Sequence, residues 1–157
     1  MAVTTEYSDV ATAQRSATQT VESDLFSSRV VQVTFGHTQA VVGDANSLIV
    51  LCQTPAGRCR LLSLQSWLRH SAWGAARLVS LGWLAYVDER GATQVQNLTG
   101  ITSGLDLAAI GVKHVGLTIT GGQSFLFETP RWLVAQCTGG TIPVGATLSG
   151  TLLFALG

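Results

Sequence analysis

Charged side chains are scarce in this 157-residue chain: Asp, Glu, Lys and Arg make up 11% of it, and nine basic residues balance nine acidic ones. A typical soluble domain carries about 25%. A surface with so little charge and no net charge tends to associate with other proteins. The deficit therefore predicts that neighbouring subunits cover part of the surface.

The sequence also lacks clustered basic residues, because Lys113 is the only lysine and the arginines are scattered. This excludes nucleic acid as the main ligand, since binding several phosphates needs grouped Lys and Arg. The longest nearly apolar run, residues 78–87, contains Ser80 and Gly82 and is shorter than the ~20 residues of a membrane-spanning helix. The start, MAVTTEYSDV, has neither the basic residues nor the apolar stretch of a signal peptide. We expect no membrane partner and synthesis without export.

Cysteine is present in an odd number, as Cys52, Cys59 and Cys137. The first two flank the turn at residues 54–57, whose proline and glycine favour a hairpin in which Gln53 faces Cys59. Cys52 would then point to the opposite face from Cys59. We therefore predict buried free thiols and no disulfide.

The spacing typical of a catalytic or metal site is absent as well. None of the three histidines has a second His or Cys at the spacing of metal ligands. The acidic residues fall mostly in predicted turns, where Asp supports tight geometry. The glycine pairs 121–122 and 139–140 precede strands rather than helices, so they predict no phosphate-binding loop. We expect no enzyme activity, no cofactor and no metal.

From residue 29 onward, the sequence contains short runs with a period of two, separated by turn residues. Val31, Val33 and Phe35 alternate with polar residues, and 47–52 is the continuous apolar run of a strand covered on both faces. The last strand places one apolar set on a single face: Val144, Ala146, Leu148, Gly150, Leu152 and Phe154. These patterns predict an all-β fold, a single antiparallel β-sandwich of about eight or nine strands, jelly-roll-like.

Three further stretches complete this prediction. Residues 76–87 indicate a strand that ends in a hairpin turn at 88–91, and the alternation at 115–119 indicates another strand. The section 97–113 is predicted to be loop-like, with one or two helical turns at 103–110.

The first 25 residues differ from the rest because they are polar, with few large apolar side chains. Such a segment buries too little surface to order itself alone. We therefore predict an extended N-terminal arm at 1–25, held by a neighbouring subunit, and a sandwich domain at 26–157. An arm that lies on its own domain is the alternative. The candidate contact residues of the arm are Val3, Tyr7, Val10 and Val21.

Trp73 falls in a predicted loop at 71–74, and Trp132 directly follows Thr129-Pro130-Arg131 at the start of a predicted strand. Loop aromatics make good anchors at interfaces, so both are candidate subunit contacts. Aromatic loops on a β-sandwich can also stack on sugars, which leaves carbohydrate binding as a rival hypothesis. Trp67 and Trp83 are predicted to be core residues.

Residues 44–88 carry four features in order: an apolar strand at 48–51, a Pro-x-Gly turn at 55–57, a strand of Arg followed by hydrophobic residues at 60–64, and, after a Gly-containing loop, a strand ending in Gly-aromatic at 78–83. About a third of the chain thereby resembles small β-sandwich proteins of tailed-bacteriophage particles. The resemblance rests on structural motifs, not catalytic ones.

This resemblance implies a virion protein, in the first place a capsid cement or decoration protein. We expect it to bind and stabilise the major capsid shell through apolar contacts and its N-terminal arm. A neck, tail-fibre or carbohydrate-binding module is the alternative. The implied partner is the major capsid protein or another virion protein, and no catalytic residue is carried over. We further expect the sandwich to pack with copies of itself, as a dimer or trimer.

Overall fold

The computed structural model describes residues 3–16, 30–118 and 125–157. These residues form one α-helix, one 3-10 turn and thirteen strands, several of them only two or three residues long. In chain order the elements are β1 (Thr5–Tyr7), α1 (Asp9–Ser16), β2 (Val30–Thr38), β3 (Leu48–Gln53), β4 (Cys59–Leu61), β5 (Trp67–His70), β6 (Leu78–Trp83), β7 (Tyr86–Val87), β8 (Thr93–Gln94), β9 (Asn97–Asp106), β10 (Gly111–His114), the 3-10 turn (Val115–Thr118), β11 (Phe125–Phe127), β12 (Trp132–Thr138) and β13 (Thr147–Leu156).

The strands form two main sheets and one separate hairpin. Sheet A has the order β1-β3-β12-β6-β9 and is antiparallel except for the parallel pair β1 and β3. In sheet B the long strand β13 pairs with β2 along one edge and with β5 and β4 along the other, and β10 and β11 lie outside these two. Strands β7 and β8 pair only with each other. The predicted all-β, mainly antiparallel sandwich is confirmed, while its jelly-roll connectivity stays a prediction.

The main core lies between the two sheets, and strand alternation locates it correctly. Val31, Val33 and Phe35 of β2 are buried. So are the inward residues of β13, from Leu148 to Phe154. Val144 is an exception at 59% exposed, because it lies in the turn before β13, where the alternation of the strand has not yet begun.

Strand β3 is covered on both faces, as its continuous apolar run predicts. Ile49 and Leu51 belong to the main core, whereas Val50 lies in a second cluster with Val134 and Ala11 of α1. Helix α1 therefore covers the outer face of sheet A beside β3.

The turn after β3 has the predicted conformation but a different consequence. Gly57 adopts the left-handed φ of 82°. Strand β4 nevertheless joins sheet B, so the predicted pairing of Gln53 with Cys59 is wrong. The Thr54 N–H donates to the Arg131 carbonyl at 2.9 Å, which continues the pairing of β3 with β12 and sends the turn across to the other sheet. Cys52 and Cys59 are both buried in the main core as free thiols.

The section predicted as loop and helical turn, 97–113, forms strands β9 and β10 instead. Strand β9 follows β6 with two register shifts, and Gly104 takes a left-handed φ of 72° within it. The close approach of β9 to β6 depends on Gly82, because a Cβ atom there would lie 1.9 Å from the Asn97 carbonyl oxygen. Residues 115–118, predicted as a strand, form the 3-10 turn that leaves β10.

Candidate interaction surfaces

Residues 3–16, called here the N-terminal segment, lie against the sandwich of their own chain. They are not extended: β1 adds to the edge of sheet A, with Thr5 opposite Leu48 and Tyr7 opposite Val50, and α1 follows. This agrees with the alternative of an arm on its own domain. The predicted boundary at residue 25 and the contact residue Val21 lie outside the described residues.

Ser8 joins β1 to α1 and is fully buried. Its side-chain oxygen accepts a hydrogen bond from the Ala11 N–H at 3.1 Å, as an N-cap residue does. Its hydroxyl donates to the Leu51 carbonyl, and its own N–H donates to the Val50 carbonyl at 2.7 Å. One serine therefore begins the helix and attaches it to β3.

Two carboxylates attach the N-terminal segment to β2 and the residues that follow it. Asp9 accepts from the Gly36 N–H at 2.7 Å. Glu6 accepts from the Gln39 side-chain amide at 3.0 Å and from the Ala40 N–H at 3.2 Å, and lies 3.3 Å from His37 Nε2. Backbone donors of β2 and the adjoining loop are thus satisfied by side chains from β1 and α1.

The predicted contact residues of the arm differ in whether they are buried against their own domain. Tyr7 and Val10 are half-buried against their own domain, where Val10 reaches the main core and Arg15 stacks on the Tyr7 ring at 4.1 Å. Val3 is 59% exposed. Of the described arm candidates, Val3 is therefore the one that presents a largely free side chain.

Trp73 does not form a surface anchor, and this prediction is wrong. It lies in a loop as expected, but the loop folds inward: the indole is 2% exposed and its N–H donates to the Thr147 carbonyl at 3.1 Å. Trp132 is half-buried on the outer face of sheet A, beside Leu84 and Leu98 and the cluster around Val50. It keeps some exposed surface, so its role as a subunit contact stays a prediction.

The hairpin of β7 and β8, residues 86–94, forms a separate two-stranded sheet and is called here the finger. Asp88 organises its tip by accepting from the Arg90 and Ala92 N–H groups, each at 2.9 Å, and from the Gln94 side chain at 2.7 Å. These bonds lower the pKa of Asp88 from its ordinary 3.8, with the bond from Ala92 as the largest cause. The bonds that hold the tip of the finger therefore all come from within the finger.

Arg131 supports the base of the finger. Its guanidinium carbon lies 3.9 Å from the centre of the Tyr86 ring and 5.1 Å from that of Trp83, within cation–π range. A polar cleft of about 340 Å³ opens beside it, with Glu89 and Glu128 among the lining residues. Its lining contains three acidic and two basic residues, so the cleft carries both signs of charge.

Exposed valines gather at one end of the sandwich. The Gly145 N–H donates to the Gln39 carbonyl, and Gly43 forms a bridge with Ile142, so the two segments run side by side. This pairing brings two exposed valines of the first segment beside one of the second. The valine cluster consists of Val41 (55% exposed), Val42 (38%) and Val144 (59%).

Two buried cysteines, Cys52 and Cys137, belong to the main core. Burial raises the pKa of the Cys52 thiol to about 12 and that of Cys137 to about 11, so both stay protonated and unreactive at neutral pH. In the described ranges, no group of three or more His, Cys, Asp or Glu residues is placed to hold a metal ion. Nor does that part of the chain contain a helix long and apolar enough to cross a membrane.

Known proteins resemble this chain in structure rather than in sequence. No protein-family model matches it, and no curated protein matches it by sequence. A chain of the solved structure described as "Capsid of Ralstonia phage GP4" matches with a TM-score of 0.59 and 16% sequence identity, over 82% of this chain and 84% of that one. At this identity the match shows a shared fold, and the fold is that of a chain in a phage capsid.

Proposed function

We propose that this protein is a structural, non-catalytic component of a phage virion, most specifically a cement or decoration protein of the capsid. The observation that carries the proposal is the shared fold with a chain of the Ralstonia phage GP4 capsid, which extends over more than four fifths of both chains. The sequence resemblance at residues 44–88 supports the same class of protein from independent features.

The surface favours assembly through apolar contact. Only 11% of the residues are charged, and the valine cluster presents apolar side chains from two adjoining segments. Burial of apolar surface contributes roughly 25 cal/mol per Å² to the free energy of binding, from which the entropy lost on association must be subtracted. In the proposed role the partner is the major capsid protein or another virion protein, and the chain packs with copies of itself as a dimer or trimer.

The carbohydrate-binding alternative loses one of its two aromatic anchors. Stacking on a sugar needs an exposed ring face, and Trp73 is buried. Trp132 alone, half-buried among apolar neighbours, offers a small platform. We therefore keep the structural role as the proposal.

The decisive experiment is the copy number of this chain in purified particles of its source, measured by quantitative mass spectrometry against the major shell protein. We expect a ratio near one-to-one or a simple fraction of it. About a dozen copies or fewer would move the chain to the neck, tail or vertices. Its absence from the particle would overturn the proposal and bring sugar binding forward.

A charge placed in the valine cluster tests the mode of contact. Val144→Glu should weaken binding to the shell at least tenfold, because a buried unpaired carboxylate is strongly unfavourable. Val112→Glu is the matched control, since Val112 is similarly exposed at 55% but lies on β10. The wild-type affinity should change little between low and high salt, and a steep fall with salt would contradict an apolar contact.

A further inference from the structure

We propose that the groove which holds the N-terminal segment is a binding site for residues 3–16 of a neighbouring copy, so that assembled copies exchange this segment. The exchange rests on the proposed function, because it requires an assembly of several copies. The partner at this site is a second copy of the same chain, which contributes β1 and α1.

The core between the two sheets draws its buried side chains from outside the N-terminal segment. They all lie between Val31 and Phe154, and Val10 packs against them, while Ala11 covers Val50 and Val134 on the outer face of sheet A. Strand β1 adds just three residues to an edge of sheet A. The segment is thus added to the edge and outer face of sheet A, as a peptide is added to a sheet edge.

The groove recognises this sequence in particular. The Leu51 carbonyl accepts from the Ser8 hydroxyl, the Gly36 N–H donates to Asp9, and the Gln53 N–H donates to Gln14 Oε1 at 2.7 Å. Three side chains of the segment are therefore matched to three backbone groups from two different strands. A strand of another sequence would pair with β3 but leave these groups unmatched.

The N-terminal segment both covers and pairs polar groups of the groove. The Gln39 side chain is 1% exposed and donates to Glu6, and Ser47 is fully buried with its side-chain oxygen accepting from the Thr4 N–H at 2.9 Å. A segment from a neighbouring copy would cover and pair the same groups as the segment of the same chain does.

The chain is long enough for the exchange. Residues 17–29 connect α1 to β2, and thirteen residues span up to about 45 Å when extended. A sandwich of this size has a radius of gyration of about 14 Å, so an adjacent copy lies within that reach. Because exchange recreates the same contacts, it ties copies together with little change in contact energy, and the high local concentration in an assembly favours it.

A cysteine pair across the groove tests the exchange. In Thr4→Cys/Ser47→Cys the new thiols replace residues joined by the Thr4 N–H to Ser47 Oγ contact at 2.9 Å. The assembled full-length protein is oxidised and run on a denaturing gel without reductant. We expect disulfide-linked dimers, trimers or higher multimers. A monomer with an internal disulfide would overturn the proposal.

Controls make either outcome decisive. Thr34→Cys/Thr151→Cys joins β2 to β13, where the two hydroxyl oxygens are 3.3 Å apart, and should give monomers. A second groove pair, Thr5→Cys/Leu48→Cys, joins register partners of β1 and β3 and is read with a short thiol cross-linker if the first pair perturbs folding.

The gel also separates the exchange from the proposed function. If particles contain the chain but give only monomers, the exchange fails and the virion role stands. If the chain is absent from particles, the virion role fails, and the same gel on concentrated purified protein still decides the exchange.

Discussion

The sandwich and the N-terminal segment are held by different kinds of interaction. The sandwich is built from apolar side chains that alternate into a shared core, as Leu148, Leu152 and Phe154 do along β13. The N-terminal segment combines apolar contact, as between Ala11 and Val50, with hydrogen bonds from polar side chains, above all Ser8, to strand backbones. Packing in the main core involves many side chains at once, whereas each polar contact of the segment involves one donor and one acceptor. Substitutions in the core should therefore lower the free energy of unfolding more than substitutions at a single polar contact of the segment.

The largest effect is expected in the core. Phe154→Ala should lower the free energy of unfolding by about 3–5 kcal/mol, because it removes a fully buried ring and leaves a cavity between the sheets. Denaturant unfolding measures this loss. The control Leu153→Ala alters a half-buried neighbour on the other face of β13 and should cost much less. Equal losses would contradict the assignment of the two faces.

A smaller and more local effect is expected at the attachment of the segment. Ser8→Ala removes the N-cap of α1 and the bond to the Leu51 carbonyl, and should lower the free energy of unfolding by about 1–2 kcal/mol. Thr12→Ala, on the exposed side of the same helix, should stay within about 0.5 kcal/mol. A loss as large as that of Phe154→Ala would show that the segment belongs to the core.

A carboxylate substitution should act on local opening more than on global stability. Glu6→Gln keeps the shape of the side chain but removes the charge that the Gln39 and Ala40 donors face. We expect amide hydrogen exchange at Ala40 to accelerate about five- to tenfold, equivalent to about 1–1.4 kcal/mol, with no change at Leu148 in the core. Glu89→Gln at the tip of the finger is the control. Acceleration at Leu148 as well would indicate global unfolding instead.

The smallest effect is expected at the tip of the finger, whose bonds to Asp88 lie outside both regions. The folded pKa of Asp88 is below its ordinary 3.8, so the carboxylate stabilises the finger fully above that value and this contribution is lost as the pH falls through the lowered pKa. NMR shifts of the Ala92 N–H and the Gln94 amide should follow this titration while core signals stay constant. Asp88→Asn should remove the pH dependence.

The sequence predicts the sandwich well where a residue's environment follows from its neighbours in the chain. The alternation of β2 predicts that one of its faces is buried, the apolar run of β3 predicts that both are, and the structure agrees. Which strand pairs with which cannot be predicted in the same way. The turn at 54–57 indicates a reversal, but only the distant contact of Thr54 with Arg131 decides that β4 joins the other sheet.

The interaction surfaces were harder to predict because they depend on contacts between distant parts of the chain. A loop position made Trp73 a surface candidate, yet its burial depends on a bond to Thr147, 74 residues away. The turn residues at 88–91 predict the hairpin of the finger, and this hairpin is confirmed. Helix α1 is not among the predicted elements, although Ser8 followed by an acidic residue and good helix formers is a signal for the start of a helix.

The central place of β13 in sheet B has a consequence for synthesis. This strand is the thirteenth to leave the ribosome, yet β2, β4 and β5 all pair with it. Until residues 147–156 are synthesised, β2, β4 and β5 lack the strand that joins them in sheet B. The apolar side chains of β2 then stay exposed, so the incomplete chain is prone to aggregation until β13 is available.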